Sequence, residues 1–355
     1  MNCLSVPRHF KPAIPHLSST KHKKRFKTAQ KKSPHNKIQR IYLLIKNKAL
    51  LVYNDFLHSD KFNLHYKWLR AAAEKHGISL ECEGNSKILC SYASSLDESF
   101  EKTLLKYDFI LFWDKDIRLG KRFSDICFKA DIPIYNNIQA IADCDDKSAT
   151  YEKIWRWNDS HDGSEQIKMI PTVVAPMTYE NIGYTSFDFL DRVISEFGFP
   201  LVVKECFGSF GMQVYMVHDR DEFEKTVKDI GGKPMLFQKY IKESSGFDVR
   251  LQVVGDEVVA AMYRYTDDGD FRANITHGGK MRKYEPDAAE IRLAVNTVKA
   301  LGLDFAGVDL LFSRGKNKPA DMLCEVNSNA HFKNIFDCTG VNVADEIMDY
   351  IVKRQ

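Results

Sequence analysis

Apolar and polar positions along the chain follow two periods, and the changes from one to the other predict the order of elements. Between residues 41 and 136, β-branched and aromatic runs with a period of two are separated by stretches of helical spacing. Residues 41–45 and 49–53 read as strands, 61–76 as a helix stopped at Gly77, and 78–82 and 107–113 as further strands. A helical segment to about Ala130 and a short strand at 132–135 complete the region. Alternation of this kind predicts an open, largely parallel sheet. The turn Asp114-Lys-Asp116 falls at a strand's C-terminal end, where such sheets take ligands; an ordinary polar loop is the alternative. Asp145-Asp-Lys147 then opens a helix over 148–157 and marks a domain boundary, and Pro171-Thr-Val-Val174 leads into the centre of the chain.

From there the period of two dominates. Residues 200–206 form a strand with Val202 and Lys204 on one face, and Gly208-Ser-Phe-Gly211 joins it as a hairpin tip to a second strand at 212–217. Asp219 and Glu222 make a capping-box pattern ahead of a helix whose apolar face is Phe223, Val227 and Ile230. A strand at 235–240 follows. Runs 249–254 and 257–265 pair across Gly255-Asp256 and project Arg250 and Arg264. Ile291, Ala294, Val295, Val298 and Leu301 make a buried helix stripe that ends at Gly302. The strand at 305–312 shows Asp309 on one face. In 322–327 the same period puts Glu325 and Asn327 on one face and Cys324 and Val326 on the other.

At 355 residues and 44% apolar content the chain is long enough for two or three globular domains with a buried core. No apolar run approaches the roughly eighteen residues a membrane helix needs, and there is no signal-peptide core, so a cytoplasmic protein without membrane contact is expected. The eight cysteines are scattered, without a C-x-x-C pair or zinc spacing, which fits a reducing compartment. Charge singles out the first forty residues, which hold eleven Lys/Arg and no acid; the rest carries 40 basic against 48 acidic positions, a net of −8. Residues 1–40 are expected to be a disordered arm. The arm reads as a solvated tail, an organellar transit segment, or an electrostatic contact for RNA or ribosomes.

Three groups of residues carry chemistry. Lys204, on a strand facing a cleft, can neutralise phosphate oxygens, and the glycine tip can offer backbone N–H groups to them. The tip is not a Walker A loop, because no Gly-Lys-Ser/Thr follows. Asp309, Glu325 and Asn327 supply the hard oxygens that magnesium prefers, with manganese as a substitute. Arg250, Arg264 and Arg272, the last accompanied by Asn274, can clamp phosphate or carboxylate bidentately. The bland reading of the glycine tip is an ordinary turn, and that of the metal set and the arginines is a set of polar residues on a solvated face.

The order of these motifs is specific. Over 199–353 the chain resembles the ATP-grasp carboxylate–amine ligases, in particular RimK-type ribosomal-protein glutamate ligases. The likeness rests on Leu-Val-Val-Lys204, Gly208-Ser-Phe-Gly211, Gln238-Lys-Tyr-Ile-Lys-Glu243, Asp248-Val-Arg250, Val254-Gly-Asp-Glu-Val-Val-Ala-Ala261, Gly269-Asp-Phe-Arg-Ala-Asn274, Gly278-Gly279, Ala306-Gly-Val-Asp309 and Glu325-Val-Asn327. It implies a mixed α/β and α+β architecture: an ATP-grasp fold preceded by an open, mostly parallel sheet. The implied division is an arm at 1–40, a Rossmann-like domain at 41–145, a central subdomain with a glycine lid at 146–234, and a C-terminal subdomain with the metal site at 235–355.

The resemblance also assigns roles. Lys147, Lys204, Gly208, Ser209, Phe210 and Gly211 would hold phosphates. Gln238 and the backbone of Lys239, Tyr240 and Ile241 would meet adenine, with Lys239 standing where family members often have an acid. Asp248 would hold the ribose. Arg272 and Asn274 would touch the triphosphate and an acyl-phosphate, and Arg264 the reacting carboxylate. Asp309, Glu325 and Asn327 would bind magnesium. The implied activity is amide formation from ATP, a carboxylate such as glutamate, and an amine on a peptide, protein or small molecule. An ATP-grasp phosphotransferase, a non-catalytic ATP sensor and a basic-arm RNA binder are the rivals, and homo-oligomerisation is left open. Ser328-Asn-Ala-His-Phe-Lys333 replaces the family's Ser-Pro-Gly turn, which leaves the acceptor and the role of His331 undetermined.

Overall fold

Strand pairing divides the chain into three sheets. The computed structural model describes residues 47–57, 60–92, 95–208, 211–273 and 278–355. The expected arm at 1–40 and strand at 41–45 lie outside the described residues, as do Ser209, Phe210 and Asn274.

The first sheet is the predicted parallel one. Strands β1 (Lys48–Tyr53), β2 (Ser79–Gly84), β3 (Phe109–Trp113) and β4 (Ile134–Tyr135) lie in the order β2-β1-β3-β4. Both faces are covered, which explains why β1 and β3 read as nearly continuous apolar runs. Ala49, Leu51, Phe109, Leu111 and Trp113 enter one core, and Leu50, Val52, Ile110 and Phe112 the other. Helix α1 (Asp60–Lys75) feeds Leu69, Ala72 and Ala73 to the first core. Helix α2 (Ser95–Leu104) has no counterpart in the sequence reading. Helix α3 (Ile117–Ala130), capped by the Asp116 carboxylate accepting from Leu119 N at 3.1 Å, gives Leu119, Phe123 and Ile126 to the second core. Helices α4 (Ile138–Asp145) and α5 (Lys147–Ser160) meet at Asp146, whose carboxylate accepts from Ser148 N at 2.8 Å and starts α5 at Lys147.

The second sheet is antiparallel, with β5 (Thr172–Val174), β6 (Leu201–Glu205), β7 (Val214–Val217) and β8 (Met235–Lys239) in the order β5-β8-β6-β7. One face buries Leu201, Val203 and Phe237 against α6 (Phe189–Phe197) and α7 (Arg220–Ile230). The expected capping box at α7 is only half formed. Asp219 accepts from Glu222 N at 2.9 Å, but the Glu222 carboxylate takes the N–H of His218, one residue earlier than the box requires. Strand β7 begins at Val214 rather than at the expected Met212.

The third sheet holds β9 (Phe247–Val254), β10 (Glu257–Tyr265), β11 (Lys280–Lys283), β12 (Phe305–Leu311) and β13 (Met322–Asn327), antiparallel in the order β11-β10-β9-β12-β13. Helix α8 (Ala288–Leu301), started by a full capping box between Asp287 and Glu290, covers one face. Its stripe differs from the expected one: Ile291 is 36% exposed and Leu293 joins Ala294, Val295, Val298 and Leu301 in the core. Two short helices, α9 (Lys333–Thr339) and α10 (Val343–Lys353), follow β13, and α10 packs on α1. Among the described residues no helix is long and apolar enough to cross a membrane.

One side chain ties the parallel sheet to the third sheet. Asn136 is fully buried and uses its whole amide across that junction. Its Nδ2 donates to Phe305 O at 2.9 Å and Ser328 O at 3.0 Å, and its Oδ1 accepts from Asp304 N at 2.6 Å and Phe305 N at 3.1 Å. Beside it, Gly307 lets the loop after β13 approach β12; a Cβ there would lie 2.6 Å from Ala330 Cβ. Replacing Asn136 by Ala strands four buried backbone groups and is expected to cost about 3 kcal/mol, read as a lower urea midpoint with little change in slope.

Candidate functional site

The uncovered faces of the second and third sheets enclose a cleft of about 480 Å³, which the loops at the C-terminal end of the parallel sheet close on one side. On the third sheet, strand alternation sends Val249, Leu251 and Val253 into the core beneath α8 and turns Asp248 and Arg250 to the cleft. Arg264 of β10 and Asp309 of β12 join them, and the four form one buried ion network. Arg250 grips Asp309 with two bonds of 2.6 Å, and Arg264 grips Asp248 likewise with two of 2.6 Å. Arg264 also reaches Asp309 at 2.9 Å. Burial works against ionised Asp309, but Arg250 and Arg264 more than offset it and hold its carboxyl below the usual range. For Asp248 burial prevails over Arg264, and the nearby Asp309 charge adds to it, so its carboxyl titrates above its usual range.

Strand β13 brings Glu325 and Asn327 to the same wall, where Glu325 pairs across the ladder with Asp309 and Asn327 with Gly307. Simple alternation fails here. A bulge gives β13 one extra residue between Leu323, opposite Leu310, and Glu325, opposite Asp309. The extra residue is Cys324, which lines the cleft beside Glu325 instead of facing away from it. Burial pushes its thiol up to about 11 despite the opposing charge of Lys204.

The opposite wall comes from the second sheet. Val202, Lys204 and Gln238 face the cleft from β6 and β8, and Lys239, Tyr240 and Ile241 continue the edge. Lys204 is 9% exposed, and among the described residues its ammonium makes no hydrogen bond or ion pair. A buried cation without a counter-ion is costly, so this wall holds an unmatched positive charge suited to an anion. The Gln238 amide donates to Tyr151 Oη at 2.7 Å and Thr172 Oγ1 at 2.9 Å, which fixes it within the wall.

Two loops meet over the cleft. Arg272 is held by Asp270 and donates to Gly211 O at 2.9 Å, joining the glycine loop to the segment after β10; Gly211 has φ of +70°, a conformation that favours glycine. Lys147 and Gly208 are not part of the cleft lining. The Lys147 ammonium lies behind it, 3.3 Å from Gly208 O and 3.6 Å from Glu325 Oε1, and so braces the glycine loop against β13. The parallel sheet adds Asn54, Asp114 and Lys115, and the loop after β13 adds Asn329 and His331. Spacing alone does not link these residues to the others; the sequence marks the Asp114–Asp116 turn at a strand end and the 328–333 segment with its His331, but not Asn54.

The fit to magnesium can be judged from the donors. Asp309 is kept ionised, Glu325 and the Asn327 carboxamide stand on the neighbouring strand, and all are hard oxygens. Among the described residues no group of three or more His, Cys, Asp or Glu side chains could hold a metal alone. An ion such as magnesium takes one or two carboxylates and completes its shell with water and phosphate. The residues fit.

A mixed architecture with a cleft between two antiparallel sheets defines the ATP-grasp class. The RimK-like ATP-grasp domain matches residues 168–351, just over half of the 355-residue chain, and the chain belongs to that family. The probable alpha-L-glutamate ligase 1 of Shewanella sp. (strain ANA-3) is 38% identical over 168 residues, which are 47% of this chain and 54% of that protein. The chain thus spans about half the length of the glutamate ligases it matches. The uncharacterized protein MG012 homolog of Mycoplasma pneumoniae (strain ATCC 29342 / M129 / Subtype 1) is 28% identical over 282 residues, 79% of this chain and 90% of that one. Among solved structures, the ATP-grasp ligase PsnB complexed with minimal precursor superposes with a TM-score of 0.62 at 15% identity, covering 88% of this chain and 100% of that one. D-alanine–D-alanine ligase from Bacillus anthracis gives 0.57 at 18% identity, covering 86% and 95%. At such identities the likeness is one of fold.

The raised thiol of Cys324 gives a test of the cleft geometry. Its thiolate fraction grows about tenfold per pH unit below its pKa, so alkylation by iodoacetamide should speed up about a hundredfold from pH 7 to pH 9. Peptide-resolved mass spectrometry checks this; rapid labelling already at pH 7 would contradict the burial described.

Proposed function

We propose that the chain is an ATP- and magnesium-dependent carboxylate–amine ligase that works through an acyl-phosphate. The observation that carries the reading is the unmatched Lys204 ammonium on one wall of the cleft that Asp309, Glu325 and Asn327 line on the other. A polyanion answers the Lys204 charge, a cation bridging it to the oxygens of the other wall engages both, and a metal–triphosphate is such a ligand. A carboxylate is a poor electrophile toward an amine. Attack of its oxygen on the γ-phosphorus breaks the bond to the β–γ bridging oxygen, releases ADP and gives an acyl-phosphate; the amine, once it has given up its ammonium proton, then attacks the acyl carbon, forms the amide and releases phosphate. No side-chain nucleophile is needed.

The residues divide the work. Lys204 offsets charge on the transferred phosphoryl group, and Arg272 and Asn274 hold the triphosphate and the acyl-phosphate under the glycine lid of Gly208, Ser209, Phe210 and Gly211. Arg264 orients the reacting carboxylate. Lys239, Tyr240 and Ile241 present backbone atoms to adenine beside Gln238, and Asp248 takes the ribose. Lys147 steadies the lid. Asp309, Glu325 and Asn327 would hold magnesium, or manganese in its place, which supplies charge to bridge phosphate oxygens.

The domain division at 41–145, 146–234 and 235–355 and a cytoplasmic location belong to the same reading. An amino acid such as glutamate is its first candidate carboxylate, in line with the glutamate ligases it resembles. Incubation with ATP, magnesium and pools of amino acids and peptides should yield ADP and a condensation product detectable by mass. Glu325→Ala and Lys204→Ala should each lower substrate-dependent ADP formation by about a hundredfold or more. Full activity in Glu325→Ala would refute the assignment, and a stable phosphorylated product without amine would point to a phosphotransferase.

A further inference from the structure

The end of the cleft at the parallel sheet has its own chemistry. Strand order β2-β1-β3-β4 means that the chain leaves β1 toward one side and returns to β3 on the other, so the loops after β1 and β3 diverge and open a crevice. Asn54 and Asp114 stand at its mouth. Asp114 is 4% exposed and lines the cleft. Its Oδ1 accepts from Asn54 Nδ2 at 3.2 Å and Lys115 N at 2.7 Å, whereas its Oδ2 is buried without a partner among the described residues.

A second acceptor is stranded beside it. Asn329 donates its Nδ2 to the Asp114 backbone oxygen at 3.2 Å, which fixes the other end of the carboxamide as acceptor, and that Oδ1 is also buried without a partner among the described residues. Lys115, the nearest cation in sequence, is drawn away to Asp145. Two buried acceptors, one of them anionic, are the complement of a cationic group carrying several N–H bonds. Tyr66 and Trp113 line the same end of the cleft and can lay aromatic faces against such a cation.

We propose that Asp114 and Asn329 seat the protonated primary amino group of the amine substrate, an aliphatic ammonium, at the crevice between the loops after β1 and β3. The proposal rests on the ligase reading for its meaning but not for its measurement. A water molecule would satisfy the acceptors but not the charge, and a metal ion would find a single carboxylate there. Burial already holds the Asp114 carboxyl above its usual range, as expected where a counter-ion is missing.

The test uses the full chain without nucleotide, titrated calorimetrically with glycinamide and n-butylamine, with glycolamide and n-butanol as hydroxyl counterparts and n-butylguanidine as a planar cation. The amines should bind saturably and the alcohols should not. Asp114→Asn should weaken amine binding about tenfold or more, and Asn329→Ala severalfold. Both variants should keep the affinity of the wild type for magnesium–ATP, measured separately, and in turnover should raise KM for the amine with kcat within about threefold. Equal binding of amines and alcohols, tighter binding of the guanidine, or unchanged amine binding in Asp114→Asn would overturn the proposal. Should Asp114→Asn fail to fold, the wild-type contrast and Asn329→Ala decide it. Absence of magnesium–ATP binding in the wild type would sink the ligase reading while leaving the amine result intact.

Discussion

The floor of the cleft depends on four buried charges. Asp248 and Arg250 on β9, Arg264 on β10 and Asp309 on β12 are not merely close, because Arg264 stands opposite Asp248 and Arg250 opposite Asp309 in the ladder. Register and electrostatics therefore enforce each other. A slip of one residue in either pairing would turn these charges into the apolar core under α8, and loss of one member would leave its partner buried and uncompensated. The two arginines also hold the Asp309 carboxyl below its usual range although burial acts in the opposite direction.

The two walls differ in how their charge is balanced. The third sheet neutralises itself internally, pair by pair. The second presents Lys204 with no partner among the described residues, and Lys147 is spent on the glycine loop and Glu325. The cleft is thus preorganised on one side and electrically incomplete on the other, which is what a site must be if its ligand is to contribute the missing charge. Arg272, bonded to Gly211 O, closes the roof between loops from the two sheets.

Much of this was legible in the chain, for identifiable reasons. Period-two alternation is enforced wherever one sheet face is buried, so the facing of Lys204, Arg250, Arg264 and Asp309 followed from spacing alone. What spacing cannot carry is partnership: nothing local says that Arg264 would meet both Asp248 and Asp309, or that Lys147 would lie behind the lid. Helix faces are softer, since a stripe can rotate by one position; hence Leu293 lies inside where Ile291 was expected. The Glu222 carboxylate chose His218 N over Asp219 N, a choice between adjacent donors that depends on the path of the chain before α7. Asp114 shows the same limit, since its turn marks a strand end, but local spacing does not say that Asn329 would arrive from far along the chain to meet its backbone oxygen.

The extra residue in β13 bears on how the cleft-facing side of the sheet could arise or be lost. With Cys324 kept but the bulge straightened, and Leu310 still opposite Leu323, Asp309 would stand across from Cys324 and Glu325 across from Val308, whose side chain lies in the oily layer beneath α8. Deleting Cys324 would leave Leu323 and Glu325 on their present partners, whereas straightening the strand with Cys324 in place would move a carboxylate from solvent to hydrocarbon, so the kink and the thiol stand or fall together.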